Sequence, residues 1–223
     1  MFIMVKVTFL GHAAFMIEGS KVVLIDPFIT GNPKSPLKGV EDIKRADVVI
    51  VTHDHGDHGF DDAVEICKKT GAYFVSQYEL VVKSGLDRVE PMNIGGFVNV
   101  GGMGVEVAFT PAFHTAGLGD PTGVIVKIDG KTIYHAGDTG LFYDMKLIGE
   151  LYRPDIAILP IGSRFTMDVL QAAKAVEFIS PKYVIPMHYN TFDLIKADPK
   201  EFERLVGDKA KVIILNPGES FEI

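Results

Sequence analysis

The apolar residues of the first third of the chain fall into short alternating runs rather than helical stripes. Lys6–Leu10, Ala13–Ile17 and Val22–Ile25 read as strands, and Glu18-Gly19-Ser20 supplies the turn between the last two. Ala46–Thr52 is instead almost continuously apolar, which is how a strand covered on both faces reads. Asp155–Pro160 and Tyr183–Met187 share that character, and further strands are predicted at Phe97–Val100, Val105–Thr110, Gly123–Ile128 and Lys131–His135. A helix is predicted over Asp61–Thr70, with Asp61 as N-cap and Gly71 past its end, and a shorter one over Ser76–Lys83, stopped by Gly85. Thr166–Ile179 carries Val169, Ala173, Val176 and Ile179 at helical spacing, and Asp198-Pro199-Lys200-Glu201 opens a last helix that Gly207 closes.

Strands come first, then helices alternating with strands, in two rough passes. Two packed sheets with helices outside them, an α+β arrangement, satisfy that order. No low-complexity linker or tandem repeat divides the 223 residues, so one domain spanning 1–223 is expected.

Composition narrows the function classes. Hydrophobic residues make up 47% of the chain, enough for a buried core. The net charge of −7, with no block of like charge, argues against a nucleic-acid binder, which would need Lys and Arg to neutralise phosphates. A small anionic substrate stays open, because a bound cation can dominate the local field. The single cysteine, Cys67, rules out an internal disulfide and thiolate-rich metal sites, and it sits on the apolar side of its helix as a core residue would. The apolar start Met1–Val5 is cut by Lys6, shows no signal-peptide pattern, and no run approaches membrane-spanning length. A cytoplasmic protein without a membrane partner is expected, and a homo-oligomer is compatible with the sequence.

The chemistry concentrates in His53-Asp54-His55-Gly56-Asp57-His58, which holds three of the seven histidines directly after the buried strand. Loops at the carboxyl ends of buried strands are favoured ligand sites, and imidazole with carboxylate suits zinc, manganese or ferrous iron. The two-residue spacing lets His53 and His55 point the same way from an extended segment, while Gly56 can turn Asp57 and His58 towards a second position. His114, Asp138 and His188 also lie where strands give way to loops, with Gly137 and Gly140 on either side of Asp138 to permit close backbone approach. Each alone suits a satisfied loop residue as well as a ligand; the set points to metal.

These residues together resemble the metallo-β-lactamase superfamily: a His-x-His-x-Asp-His run at 53–58, a downstream His114, a Gly-Asp step at 137–138 and a final His188. The resemblance covers the whole chain and implies a four-layer αββα sandwich with the site at the edge of both sheets. It implies His53, His55 and His114 on one divalent ion, Asp57, His58 and His188 on a second, and Asp138 bridging them. Zinc heads the candidate metals, with manganese, nickel and iron also accommodated. The segments Gly11-His12-Ala13-Ala14-Phe15, Asp26-Pro27-Phe28 and Pro186-Met187-His188-Tyr189-Asn190-Thr191-Phe192 look closer to one branch, the UPF0173-like metal-dependent hydrolases similar to ascorbate-lactonase-like proteins. The activity implied is hydrolysis of a small ester, lactone or phosphodiester, anionic ones included, by a hydroxide held between two metals, with Asp57 and Asp138 catalytic.

Around that set, Asp26 and Thr139 are candidates to orient ligands by hydrogen bonds. Asp26 serves equally as a turn residue before proline. His12 is expected to line the pocket and contact substrate, unless it simply satisfies a turn after the first strand, and His135 reads as a buried supporting or core residue. Members of this branch tend to carry Gly-Gly within the segment matching 161–167, where this chain has Ser163-Arg164. Arg164 is expected near the substrate opening, its fork binding a carboxylate or phosphate, unless it is an ordinary surface arginine. Three rival readings remain: an iron-dependent redox protein on the same fold, which lacks a flavodoxin-like segment or cysteine-ligated cluster here; an RNA or DNA phosphodiesterase, which lacks a basic aromatic-rich insertion; and a metal-binding regulatory or scaffold protein without turnover, against which the complete ligand set argues.

Overall fold

The computed structural model describes residues 3–223; Met1 and Phe2, part of the apolar start, lie outside the described residues. The first half runs β1 (Lys6–Gly11), β2 (Ala14–Glu18), β3 (Val22–Ile25), β4 (Val48–Ile50), α1 (Phe60–Thr70), β5 (Tyr73–Gln77), α2 (Tyr78–Ser84) and β6 (Val89–Met92). The second runs β7 (Val98–Asn99), β8 (Glu106–Pro111), β9 (Thr122–Ile128), β10 (Lys131–His135), α3 (Met145–Tyr152), β11 (Ile156–Pro160), α4 (Val169–Ile179), β12 (Tyr183–Met187), α5 (Pro199–Val206), β13 (Lys211–Val212) and β14 (Ser220–Glu222). Among the described residues the strands form two sheets, ordered β14-β1-β2-β3-β4-β5-β6 and β13-β12-β11-β10-β9-β8-β7. Each sheet is antiparallel where tight turns join its strands and parallel where a helix or, between β3 and β4, a long loop intervenes.

The four-layer αββα sandwich is the observed architecture, and strand periodicity explains it. Val48 and Ile50 of β4 point between the sheets, joining Phe9, Phe15, Ile25, Phe109, Val124, Ile158 and Ile185. Val49, from the same strand, faces the other way to pack with Phe74, Ala63, Ile66, Cys67 and Leu80 beneath α1 and α2. On the second sheet Ala157 and Leu159 turn outward to Ile148, Ala173, Val176 and Phe202 of α3, α4 and α5. A strand sandwiched in this way has no polar face to show in its sequence, hence the unbroken apolar runs at β4, β11 and β12.

Several boundaries differ from expectation. The segment from Ser76 is not helical at its start: Ser76 and Gln77 belong to β5, with the Ser76 hydroxyl donating to the Val51 carbonyl at 2.8 Å, and the helix begins at Tyr78. Only Val98–Asn99 of the predicted Phe97–Val100 strand pairs, because Val100–Gly102 turns as a short 3-10 segment. α4 starts at Val169 rather than Thr166, since Asp168 and Gln171 close a reciprocal capping box there. β5, β6, β13 and β14 carry too few periodic positions to stand out, and α3 is not among the predicted elements although Met145, Ile148 and Tyr152 lie at helical spacing.

Asp61 is not the N-cap of α1. Gly59 holds that position with φ 69, where an added Cβ would lie 2.4 Å from the Pro27 carbonyl carbon. The carboxylate that matters is the next one. Asp62 is buried and its Oδ2 accepts from the Ile29 and Thr30 backbone amides at 2.8 and 2.7 Å, tying the loop after β3 to α1. Asp62→Ala should therefore cost about 1–3 kcal/mol, the penalty for stranding buried donors. Asp61→Ala, exposed in the first turn, should cost no more than about 1 kcal/mol through the helix dipole. Urea unfolding of the two variants side by side checks the ranking, and equal losses would contradict it.

Candidate metal centre

His12, Asp26, His53–His58, His114, Asp138 and His188 all sit just past the carboxyl ends of strands on one edge of the sandwich: β1, β3, β4, β8, β10 and β12. The sequence separations are large, but the strand ends bring the side chains together. The Nε2 of His53 and Nδ1 of His55 are 3.1 Å apart, and His114 Nε2 is 3.3 Å from the same His55 nitrogen. Asp138 lies between this triad and a second group. Its Oδ1 is 3.3 Å from His58 Nε2, while its Oδ2 is 3.1 Å from His188 Nε2 and 3.5 Å from His114 Nε2. Asp57, His58, His188 and His12 form that second group, with possible ligand atoms within 4.8 Å of one another.

Hydrogen bonds behind the cluster decide which nitrogens face it. Asp26 is fully buried; its Oδ1 accepts from the Thr52 amide at 2.8 Å, and its Oδ2 accepts from the Thr52 hydroxyl at 2.7 Å and His58 Nδ1 at 2.8 Å. With its proton given to Asp26, the Thr52 oxygen accepts from His53 Nδ1 at 3.0 Å. Both rings therefore turn Nε2 towards the cluster. His135 stays outside it: its Nε2–H donates to the Ala13 carbonyl at 2.9 Å, its Nδ1 accepts from Gly137 N at 3.1 Å, and it braces the turn that carries Asp138. Gly137 (φ 61) is required there, because a Cβ would fall 2.3 Å from the Thr122 carbonyl oxygen, whereas Gly140 has no neighbour closer than 3.9 Å to such an atom.

Other placements refine the expectations. Thr139 reaches no ligand side chain; its hydroxyl accepts from the Phe113 amide at 2.9 Å, fixing the backbone next to His114. His12 is buried with both ring nitrogens engaged, to Asp57 Oδ2 at 3.1 Å and Thr191 Oγ1 at 2.9 Å. Arg164 is exposed in the 161–167 loop, whose ends bond to Met187 and Thr139 beside His188 and Asp138. Ser163 and Arg164 have φ values of 61 and 58, the left-handed region that glycines occupy freely and other residues at a cost. Asp54, Thr52 and Thr191 carried no signal of their own. Asp54 Oδ1 accepts from Gly117 N at 2.7 Å and holds the loop after His114; its place between His53 and His55 was the only available hint.

The residues present fit divalent cations. His58 Nε2 and Asp138 Oδ1 are buried without a hydrogen-bond partner of acceptable geometry, and three imidazole nitrogens converge at His53, His55 and His114. Burial pushes the His58 imidazole down, but the flanking Asp138 and Asp26 carboxylates outweigh it and raise it well above its ordinary value. The same place that favours a proton favours a metal. Burial, aided by the His58 charge, pushes His53 down to about 2, so its ring is a neutral donor at physiological pH. Burial raises the Asp138 carboxyl, yet His188 and His58 hold it well below the usual range and it stays ionised.

Asp26 follows the same logic: burial raises its carboxyl, but the charge and hydrogen bond of His58 bring it below the ordinary value. Its ionised form therefore stabilises the fold above the unfolded carboxyl value of about 3.9, and that gain is lost as pH falls through this range towards the folded value. In chelator-treated protein, Asp26→Asn should cost roughly 3 kcal/mol or more at neutral pH. Urea unfolding between pH 7 and 3 should also show a shallower loss than wild type; parallel slopes would exclude Asp26 as the linked group.

The chain is similar over its whole length to known metal-dependent hydrolases. A family model described as the β-lactamase superfamily domain matches residues 21–189. A UPF0173 metal-dependent hydrolase of Korarchaeum cryptofilum is 52% identical over 225 residues, covering 99% of this chain and 100% of the relative. One of Pyrococcus abyssi is 53% identical over 229 residues, covering 99% and 100%. Among solved structures, Igni18, a metallo hydrolase from the hyperthermophilic archaeon Ignicoccus hospitalis, superposes with a TM-score of 0.92 at 44% identity, covering 99% of this chain and 98% of that one.

Proposed function

This chain belongs to the β-lactamase superfamily, among its metal-dependent hydrolases, and on that premise we propose that it hydrolyses a small anionic ester, lactone or phosphodiester at a two-cation centre. The observation that carries the reading is Asp138, whose two oxygens reach nitrogens of both ligand groups. In this reading His53, His55 and His114 hold one cation, Asp57, His58 and His188 the other, and Asp138 bridges. Bound divalent ions supply an acidified water and polarise the substrate oxygen, which is why no Ser, Cys or triad is needed.

The chain's own groups set direction and timing. His53, His58, Asp138 and His188 form a buried wall, while the Asp57 side chain is 34% exposed and that of His114 11%, so substrate approaches over Asp57 and His114. Burial raises the Asp57 carboxyl, but the His12 hydrogen bond and the His58 charge hold it below its usual value, so it is ionised at neutral pH. Its Oδ1, not the oxygen bonded to His12, is free to orient the attacking water and take its proton. Phe113 and Phe165, both more than half exposed on the loops beside His114 and Asp138, offer an apolar rim. Arg164 offers a fork for a carboxylate or phosphate. Among the described residues no helix is long and apolar enough to cross a membrane.

A panel of esters, lactones and phosphodiesters, assayed with zinc, manganese, nickel or iron after chelator treatment, tests the reading. His53→Ala and Asp138→Ala should each lose more than about 100-fold in kcat/KM, beyond the loss of a ligand's supporting partner. A folded His53→Ala variant with full activity would sink the site, and iron with visible absorbance and oxygen consumption would replace hydrolysis by redox chemistry. Arg164→Ala should raise KM about 10-fold for anionic substrates, as expected for one exposed charged hydrogen bond, and leave neutral esters unchanged. An equal effect on both substrate types would remove Arg164 from recognition.

A further inference from the structure

We propose that His12 is the positioning residue of the Asp57–His58–His188 half of the centre, holding two of its three prospective ligands at once. The inference rests on the two-cation reading above. His12 follows β1 at φ 61, a conformation that a residue with a β-carbon adopts at a cost and keeps only where its surroundings enforce it. Its backbone carbonyl accepts from His188 N at 2.7 Å, and its ring lies 4.1 Å from the His188 ring. Facing the Asp57 carboxylate, which can only accept, Nε2 must carry the proton; Nδ1 then accepts from the Thr191 hydroxyl. Phe28 and Phe192 close the remaining sides, with ring centroids 5.9 and 5.5 Å away. Engaged at both nitrogens, the ring serves the neighbouring ligands and has none free for a metal.

Asp57 depends on this contact for its orientation. Among the described residues His12 Nε2 is the only hydrogen-bond partner of the half-exposed Asp57 carboxylate. Without it the side chain would have rotamer freedom to regain. The other triad is supported elsewhere: His53 by Thr52 and Asp26, and the loop after His114 by Asp54. Loss of His12 should therefore loosen one half of the centre and spare the other.

Calorimetric titration of the chelator-stripped full chain with zinc, with stoichiometry confirmed by elemental analysis, separates the two halves. Wild type should bind two equivalents. In His12→Ala one class should weaken by about 10–100-fold, the range for a lost supporting partner, and the other should stay within about threefold. Asp57→Ala should weaken the same class, and the His12→Ala/Asp57→Ala double variant should add little to it. His12→Gln, whose amide can donate to Asp57, should recover part of the loss, and Thr191→Val should give a smaller loss in that class alone. These last two variants carry the test if His12→Ala does not fold. Two equivalents at wild-type affinities in the His12 and Thr191 variants, or equal weakening of both classes, overturn the inference alone. A wild-type chain holding fewer than two equivalents overturns the two-cation reading and this inference with it.

Discussion

The buried Asp26 carboxylate is the interaction on which the centre's geometry depends. It sits at the end of β3 with φ 46, fully enclosed, and its two oxygens accept hydrogen bonds from the Thr52 amide, the Thr52 hydroxyl and His58 Nδ1. Those three bonds cross from one parallel strand to the next and assign the proton on two imidazoles at once, directly at His58 and through Thr52 at His53. A buried charge is costly unless fully partnered, and here the partnership is what aims both rings. The arrangement also explains why the centre attracts cations: behind the rings lies one buried carboxylate and between them lies another, Asp138.

The sandwich is a means of supplying such contacts with rigid backing. Side chains from six strands arrive at one edge because two sheets of opposed residues lock the strand positions between them. Precise contacts then need loops bent to fit, and the bends are costly. His12, Asp26, Ser163, Arg164, His188 and Asn190 all take positive φ around this edge, though none is glycine. The packed layers beneath α1 and α4 provide the stability against which that strain is held. The support is uneven. One triad leans on Thr52 and Asp54 and the other on His12, while Asp26 backs both, through Thr52 at His53 and directly at His58.

Much of this was legible in the sequence, for a definite reason. The six-residue run at 53–58 compresses four prospective ligands into one loop, so their proximity is guaranteed by the chain itself. The strand before it is buried on both faces, which leaves an unbroken apolar run, and the later strands at β11 and β12 repeat that mark. Fold class and reaction class follow from those local patterns combined with the family resemblance. Short elements were less legible. Ser76 and Gln77 pair in β5 although the following turns are helical, and β13 and β14 take part in sheets through only two or three residues each.

What the sequence determined by itself was the inventory: which donors exist, that they follow strands, and that thiolates are excluded. Tertiary structure decided the partnerships. Asp61 and Asp62 are adjacent identical residues, and only the loop after β3 makes the second one the anchor. His12 looked like an open pocket residue because it follows a glycine in a turn, yet Asp57 and Thr191, 45 and 179 positions away, occupy both its nitrogens. A hydrogen bond across that separation leaves no periodicity or spacing behind it. It exists only once the sheets have packed, which is why the prospective ligands and Asp26 behind them could be read from the chain and the partnerships of His12, Thr52 and Thr191 could not.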